Sequence, residues 1–176
     1  LGDIAAMVAE QLERDGIETV VVGPSAAASH AANVCEITEI DFAVPTGVSR
    51  KSVAESIAKL GFRPRGRLFV REGASYELHF SSGPGERIVK RAVTIESDAG
   101  SYRALAAIDA IVDCAAGFVH WEDRRSLEAA ECFTHAMRER IIDSRLLEAL
   151  HDIEASDADG RRRLDFAEGR LKAALR

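Results

Sequence analysis

The chain has 176 residues, 47% of them hydrophobic and 30% charged, with a formal net charge of −6. That size and balance fit one ordinary globular domain with a small helical appendage, able to bury a real core. They exclude a membrane-spanning chain, since no apolar run approaches the roughly 20 residues a bilayer requires, and a protein whose whole surface coats nucleic acid.

Ile4, Met7, Val8 and Leu12 recur at helical spacing, which predicts an amphipathic helix from Asp3 to Asp15, with Asp3 as N-cap and Gly16 as the stop. Ile17 to Val22 is a short β-branched run and predicts a buried strand. Gly23-Pro24 then turns the chain into a helix of small residues, Ser25 to Ala32, which Asn33 can end. A second strand carries Glu39 and Asp41 on one face, with Thr38, Ile40, Phe42 and Val44 on the other. Pro45-Thr46-Gly47 is a turn, and a helix from Val48 or Ser49 ends at Gly61.

Leu68 to Val70 and Ser75 to Phe80 predict a hairpin around Glu72-Gly73-Ala74, with Glu77 and His79 sharing a face opposite Tyr76, Leu78 and Phe80. Ser81 to Glu86 reads as a loop, Val89 to Ile95 as a further strand, and Asp98-Ala99-Gly100 as a turn. From Ala106 the period becomes helical. Helices are expected through Phe118 and Val119, from Asp123 to Met137, from Glu139 to Ile153, and after a polar break at Ser156 to Gly160. The expected fold is an α/β (α+β) mixed sheet, with residues 1–105 forming the sheet domain and residues 106–176 a helical part packed on the same core. Cys35, Cys114 and Cys132 form an odd, widely spaced set without a CxxC, which reads as reduced thiols of a cytoplasmic protein. Leu1 opens no secretory leader pattern, and export is not expected.

Carboxylates at alternate strand positions can hold Mg²⁺ for phosphoryl or nucleotidyl transfer, and Glu77 from the later strand can join Glu39 and Asp41. A solvated polar face of a half-exposed strand gives the same alternation, so the spacing leaves both readings open. Gly23 at the start of a helix can present backbone N–H groups to a phosphate. Pro24 removes one of those donors, so a plain strand-to-helix turn capped by Ser25 is the alternative. His30 on its Ala-rich helix reads as a packed imidazole. Arg63, Arg65, Arg67 and Arg71 form either an anion-holding run or a charged edge. Trp121 at a helix corner reads as a packing anchor, with Asp123 as N-cap and Arg124 available for a buried ion pair.

The strand, Gly turn, helix and strand with TEIDF, followed by Leu60-Gly61-Phe62, resemble the minimal nucleotidyltransferase-like fold related to DNA polymerase β. Ile108-Asp109 through Phe118 to Ala130 (FVHWEDRRSLEAA) resembles the helical segment of a group of small, mostly uncharacterised bacterial proteins of that superfamily. The resemblance implies a Mg²⁺-dependent site that binds a nucleoside triphosphate. In it Gly23 and Ser25 contact phosphate, Glu39, Asp41 and Glu77 hold metal, and His79 or Glu77 assists removal of the acceptor proton. The chain departs from that pattern at Pro24, at Glu39 in place of an aspartate, at His79 in place of a carboxylate, and at Val112 in place of a lysine. Two functions follow as expectations: nucleotide binding or transfer at a degenerate site, or a non-catalytic regulatory or binding protein with a protein partner, as in toxin–antitoxin or defence modules.

Overall fold

A seven-stranded mixed sheet organises the computed structural model, which describes residues 1–82 and 90–176. In chain order the elements are α1 (Gly2–Arg14), β1 (Val20–Val22), α2 (Gly23–His30), β2 (Glu39–Val44), α3 (Arg50–Ala58), β3 (Arg63–Arg65), β4 (Leu68–Val70), β5 (Glu77–Ser82), β6 (Ala92–Ser97), β7 (Gly100–Leu105), α4 (Ala107–Trp121), α5 (Arg124–Met137), α6 (Asp143–Leu150) and α7 (Ala158–Ala174). The strands lie in the order β3-β4-β5-β2-β1-β7-β6. β1 runs antiparallel to β2 and parallel to β7, and β2 runs parallel to β5.

The pleat sorts β2 and β5 into two faces. Ile40 pairs with Leu78 and Phe42 with Phe80 on one face; Glu39 pairs with Glu77 and Asp41 with His79 on the other. On the apolar face Phe42 and Phe80 stack with centroids 5.1 Å apart, and Phe69 meets Phe80 edge-on at 5.6 Å. The Arg50 guanidinium at the start of α3 lies 4.3 Å from the Phe69 ring centroid, which places α3 on this side. Ser56 of α3 donates to the Gln11 carbonyl of α1. α2 and α4 pack against each other on the opposite, polar side. One cluster of buried side chains runs from Ala5 and Val8 through Val21, Phe42 and Ile111 to Phe133, Leu150 and Leu171. None of the described helices is long and apolar enough to cross a membrane.

Lys59, just past α3, grips Asp15, just past α1, at 2.7 and 2.8 Å. That hydrogen bond leads the causes that lower the Asp15 carboxyl to about 2. A lowered acid contributes stability that is present above its unfolded value and lost as pH falls from about 4 towards 2. Replacing Lys59 by methionine is expected to return the Asp15 titration towards 3.8, as followed by carboxyl-carbon NMR.

Several local expectations change. The basic run at Arg63 is a strand, β3, paired antiparallel to β4 at the sheet edge. Arg-Pro-Arg has no apolar face to announce it, and an edge strand tolerates proline because one side needs no partner. Ser81 and Ser82 extend β5 instead of opening a loop, whereas positions 83–86 of that expected loop, and Val89, lie outside the described residues. β7 follows the turn at Asp98 and pairs with β6, its Tyr102 and Ala104 buried. Trp121 does not anchor a corner: it is 80% exposed, because the helix ends there and Glu122 turns the backbone left-handed at φ 57°. Phe118 fills the corner instead, against Leu127 and Ala167. Arg124 is likewise exposed and makes no buried ion pair among the described residues. Gly117 lets α4 and α5 approach, since a Cβ there would meet Ser126 Oγ at 3.1 Å.

Candidate functional site

β1 passes into α2 without a loop. Val22 is the extended N-cap and Gly23 begins the helix at φ +60°, a conformation that costs a residue with a Cβ about 1–2 kcal/mol. Pro24 occupies the first turn, where its fixed φ suits a helix and its missing N–H costs no intrahelical bond. Val22 pairs with Asp41 across the sheet, so the turn sits directly beside the polar face of β2.

The Gly23 N–H is already taken. It donates to Asp113 Oδ2 of α4 at 2.8 Å, across 90 residues of chain. A Cβ at Gly23 would stand 3.6 Å from Asp41 Oδ2 and 4.0 Å from Asp113 Oδ2, so two carboxylates converge on the turn. Burial pushes the Asp113 carboxyl upward, the Gly23 N–H draws it down, and the charges of Asp41 and Asp109 raise it further. Asp113 is the residue that sequence reasoning missed. Its signal was present: Asp109 and Asp113, four residues apart, are the sole charges in the apolar run from Ala107 to Val119, and a carboxylate on a buried helix face needs a partner.

Ser25 is fully buried and committed to the backbone. Its Oγ donates to the Val22 carbonyl at 2.9 Å and accepts from the Asp41 N–H at 3.0 Å, tying turn to strand. Ser25→Ala leaves both groups without their partner in a closed site. The expected loss is about 1–3 kcal/mol, read from urea unfolding.

On the β2–β5 face the sequence-predicted residues are neighbours, but each has a partner. His79 Nδ1 lies 3.0 Å from Asp41 Oδ1; the carboxylate accepts, so Nδ1 carries the proton. Glu77 pairs with Arg65, and Glu39 lies 4.0 Å from Arg67. Arg50 donates to the Gly66 and Arg67 carbonyls at 2.7 and 2.8 Å and holds the β3–β4 turn that carries these arginines. Arg71 lies instead over Phe62, 4.9 Å from its centroid. His30 donates through Nε2 to the Leu105 carbonyl at 2.7 Å. Cys35, Cys114 and Cys132 are free thiols, and burial, with Cys132 alongside, pushes Cys35 up to about 12.

The divalent ions that the family resemblance implies would have to displace a present partner at each expected ligand. Two of the three expected ligands face arginines and Asp41 holds an imidazole. Among the described residues no three His, Cys, Asp or Glu side chains gather as a metal cluster.

No protein-family model and no curated protein matches the chain. Among solved structures it is similar to an antigenic nucleotidyltransferase-like protein from Paracoccidioides brasiliensis, at 10% identity, over 97% of this chain and 91% of that one, with a TM-score of 0.55. That likeness shows the fold alone. ANT(2'')-Ia in complex with adenylyl-2''-tobramycin follows at 14% identity, 94% and 93% coverage and a TM-score of 0.49. A solution structure of ANT(2'')-Ia follows at 14%, 94% and 88%, and 0.45. Neither of the latter two carries weight at that similarity.

Proposed function

We propose that this chain, whose fold is that of nucleotidyltransferase-like proteins, is a non-catalytic binding or regulatory protein whose phosphate turn is closed by its own Asp113. The observation that carries the proposal is the 2.8 Å bond from the Gly23 N–H to Asp113 Oδ2, in a turn where Pro24 supplies no second donor. Magnitudes favour closure. A helix N-terminus attracts an anion by about 0.3–2 kcal/mol. A phosphate oxygen entering beside Asp41 meets a like charge, costing on the order of 4 kcal/mol at about 4 Å and an effective dielectric near 20.

The second reading, Mg²⁺-dependent nucleotide binding or transfer, is favoured by one pairing. Asp41 and His79 form a carboxylate–imidazole pair on a half-exposed face, suited to taking a proton from an acceptor hydroxyl. Under that reading Glu39, Asp41 and Glu77 hold the metal and release Arg65 and Arg67 to the triphosphate.

Calorimetric titration with ATP, GTP, CTP and UTP, each with Mg²⁺, separates the two. The binding-protein reading predicts no heat and no thermal shift. Nucleotide transfer abolished by Asp41→Ala would establish the second reading instead.

A further inference from the structure

Two of the three thiols meet across the fold. Cys35 lies in the connection between α2 and β2, residues 31–38, which forms neither helix nor strand, and Cys132 lies on α5. Cys132 Sγ donates to the Val34 carbonyl at 3.6 Å, across 98 residues of chain, which sets it against the residue that precedes Cys35. The two side chains are also hydrogen-bonded to each other, thiol to thiol. No CxxC announces the pair, because tertiary packing brings the sulfurs together. Both are half-buried and within reach of small solutes, whereas Cys114 on α4 is only 1% exposed. Thiols are weak donors and weak acceptors, so the contact adds little to the fold as it stands. What it supplies is a second sulfur beside the first.

We propose that Cys35 and Cys132 are an oxidation site for hydroperoxides, forming a reversible disulfide that fastens the α2–β2 connection to α5. Burial, with Cys132 alongside, holds Cys35 as the thiol, so Cys132 is the sulfur that attacks. Its thiolate attacks one peroxide oxygen: the S–O bond forms, the O–O bond breaks, and the other oxygen leaves as water or an alcohol after taking a proton. Cys132 is then a sulfenic acid. The Cys35 sulfur attacks the Cys132 sulfur next; the S–S bond forms, the S–O bond breaks, and hydroxide departs with the Cys35 proton as water. The two sulfurs together lose two electrons, and the peroxide takes them. Once Cys132 is a sulfenic acid its thiol no longer helps to hold the Cys35 proton, and burial is the remaining obstacle. Cys35 stands on irregular backbone, which can shift to bring the sulfurs to the roughly 2 Å of a disulfide. The fastened connection joins α2, which opens at the Gly23 turn, to β2, which carries Asp41.

The pair is independent of the binding-protein reading: it holds whether or not the Gly23 turn admits a phosphate, and nucleotide titration leaves it untouched. The test treats the full chain, reduced and folded, with a small molar excess of hydrogen peroxide and reads intact mass, free thiols and a non-reducing digest. The expected product is a single chain lighter by two hydrogens, with Cys114 as its remaining thiol and the Cys35 and Cys132 peptides joined. Dithiothreitol should restore the original mass. Amide hydrogen exchange over residues 31–38 should slow about tenfold or more in the oxidised chain. Cys35→Ser should leave the Cys132 sulfenic acid stranded and open to labelling by dimedone, whereas Cys132→Ser should give no label. Serine nearly matches cysteine in size at these half-buried positions, and circular dichroism checks that both variants fold. Thiols that stay free in peroxide, a disulfide that uses Cys114 or joins two chains, Cys132 driven to sulfinic acid with Cys35 still free, or unchanged exchange over residues 31–38 would each overturn the inference.

Discussion

Phe42→Ala is expected to remove about 3–5 kcal/mol of stability, the usual cost of truncating a fully buried phenylalanine. Phe42 has no solvent exposure, sits on the strand between β1 and β5, and stacks on Phe80 at 5.1 Å, which in turn meets Phe69. Neighbours cannot collapse into the space without breaking the register that sets Asp41 beside His79. Against a typical total of about 5–15 kcal/mol, the loss is about a fifth or more of what holds the domain together. Thermal unfolding should fall by roughly 10 °C for a domain of this size. A drop within about 2 °C would mean that the aromatic stack is not the centre of the core. Phe42→Leu keeps most of the volume and should cost much less.

The second large effect concerns Asp113. Its carboxyl is raised by burial and by the Asp41 and Asp109 charges, so the fold prefers it protonated. The sign follows: an acid raised in the folded state contributes stability that is complete below its unfolded value, near 3.9, and is lost as pH rises through the folded value. Asp113→Asn retains an oxygen to accept from the Gly23 N–H and carries no charge. It should therefore be more stable than the wild type at neutral pH, by a margin that closes as pH falls towards 4. Asp113→Ala loses the acceptor too and should lie about 1–3 kcal/mol below Asp113→Asn at every pH. Urea midpoints measured across pH check both statements. A neutral-pH wild type as stable as Asp113→Asn would mean that the buried charge is compensated by something other than Gly23.

Much of the fold was legible because its periodicities are local. The β-branched run before Gly23, the alternation from Thr38 to Val44 and the apolar stripe from Ile108 to Val119 each follow from spacing alone. The adjacency of β2 and β5 was also readable, since both strands put carboxylates on one face and aromatics on the other. What escaped was set by tertiary context. β3 reads as Arg-Pro-Arg and is held through its backbone by β4. β7 is a strand because β1 and β6 flank it.

Within the site, Glu39, Asp41, Glu77 and His79 could be grouped from pattern. Their partners Arg65 and Arg67 could not be assigned, because a charged run looks the same whether it faces solvent or the next strand. Ser25 was visible as a capping residue, but its bond to the Asp41 N–H depends on how α2 seats against β2. Asp113 approaches Gly23 from 90 residues away, and no local rule predicts that meeting.

The Gly23 amide reports most directly on whether the turn is closed. Followed by ¹⁵N-resolved NMR during titration with ATP and Mg²⁺, its resonance should stay in place and its hydrogen exchange should remain slow, because Asp113 keeps the donor. Movement of that resonance in the wild type, together with Asp41 and Ser25 but without change at Trp121, would show phosphate entering the turn and contradict closure by Asp113.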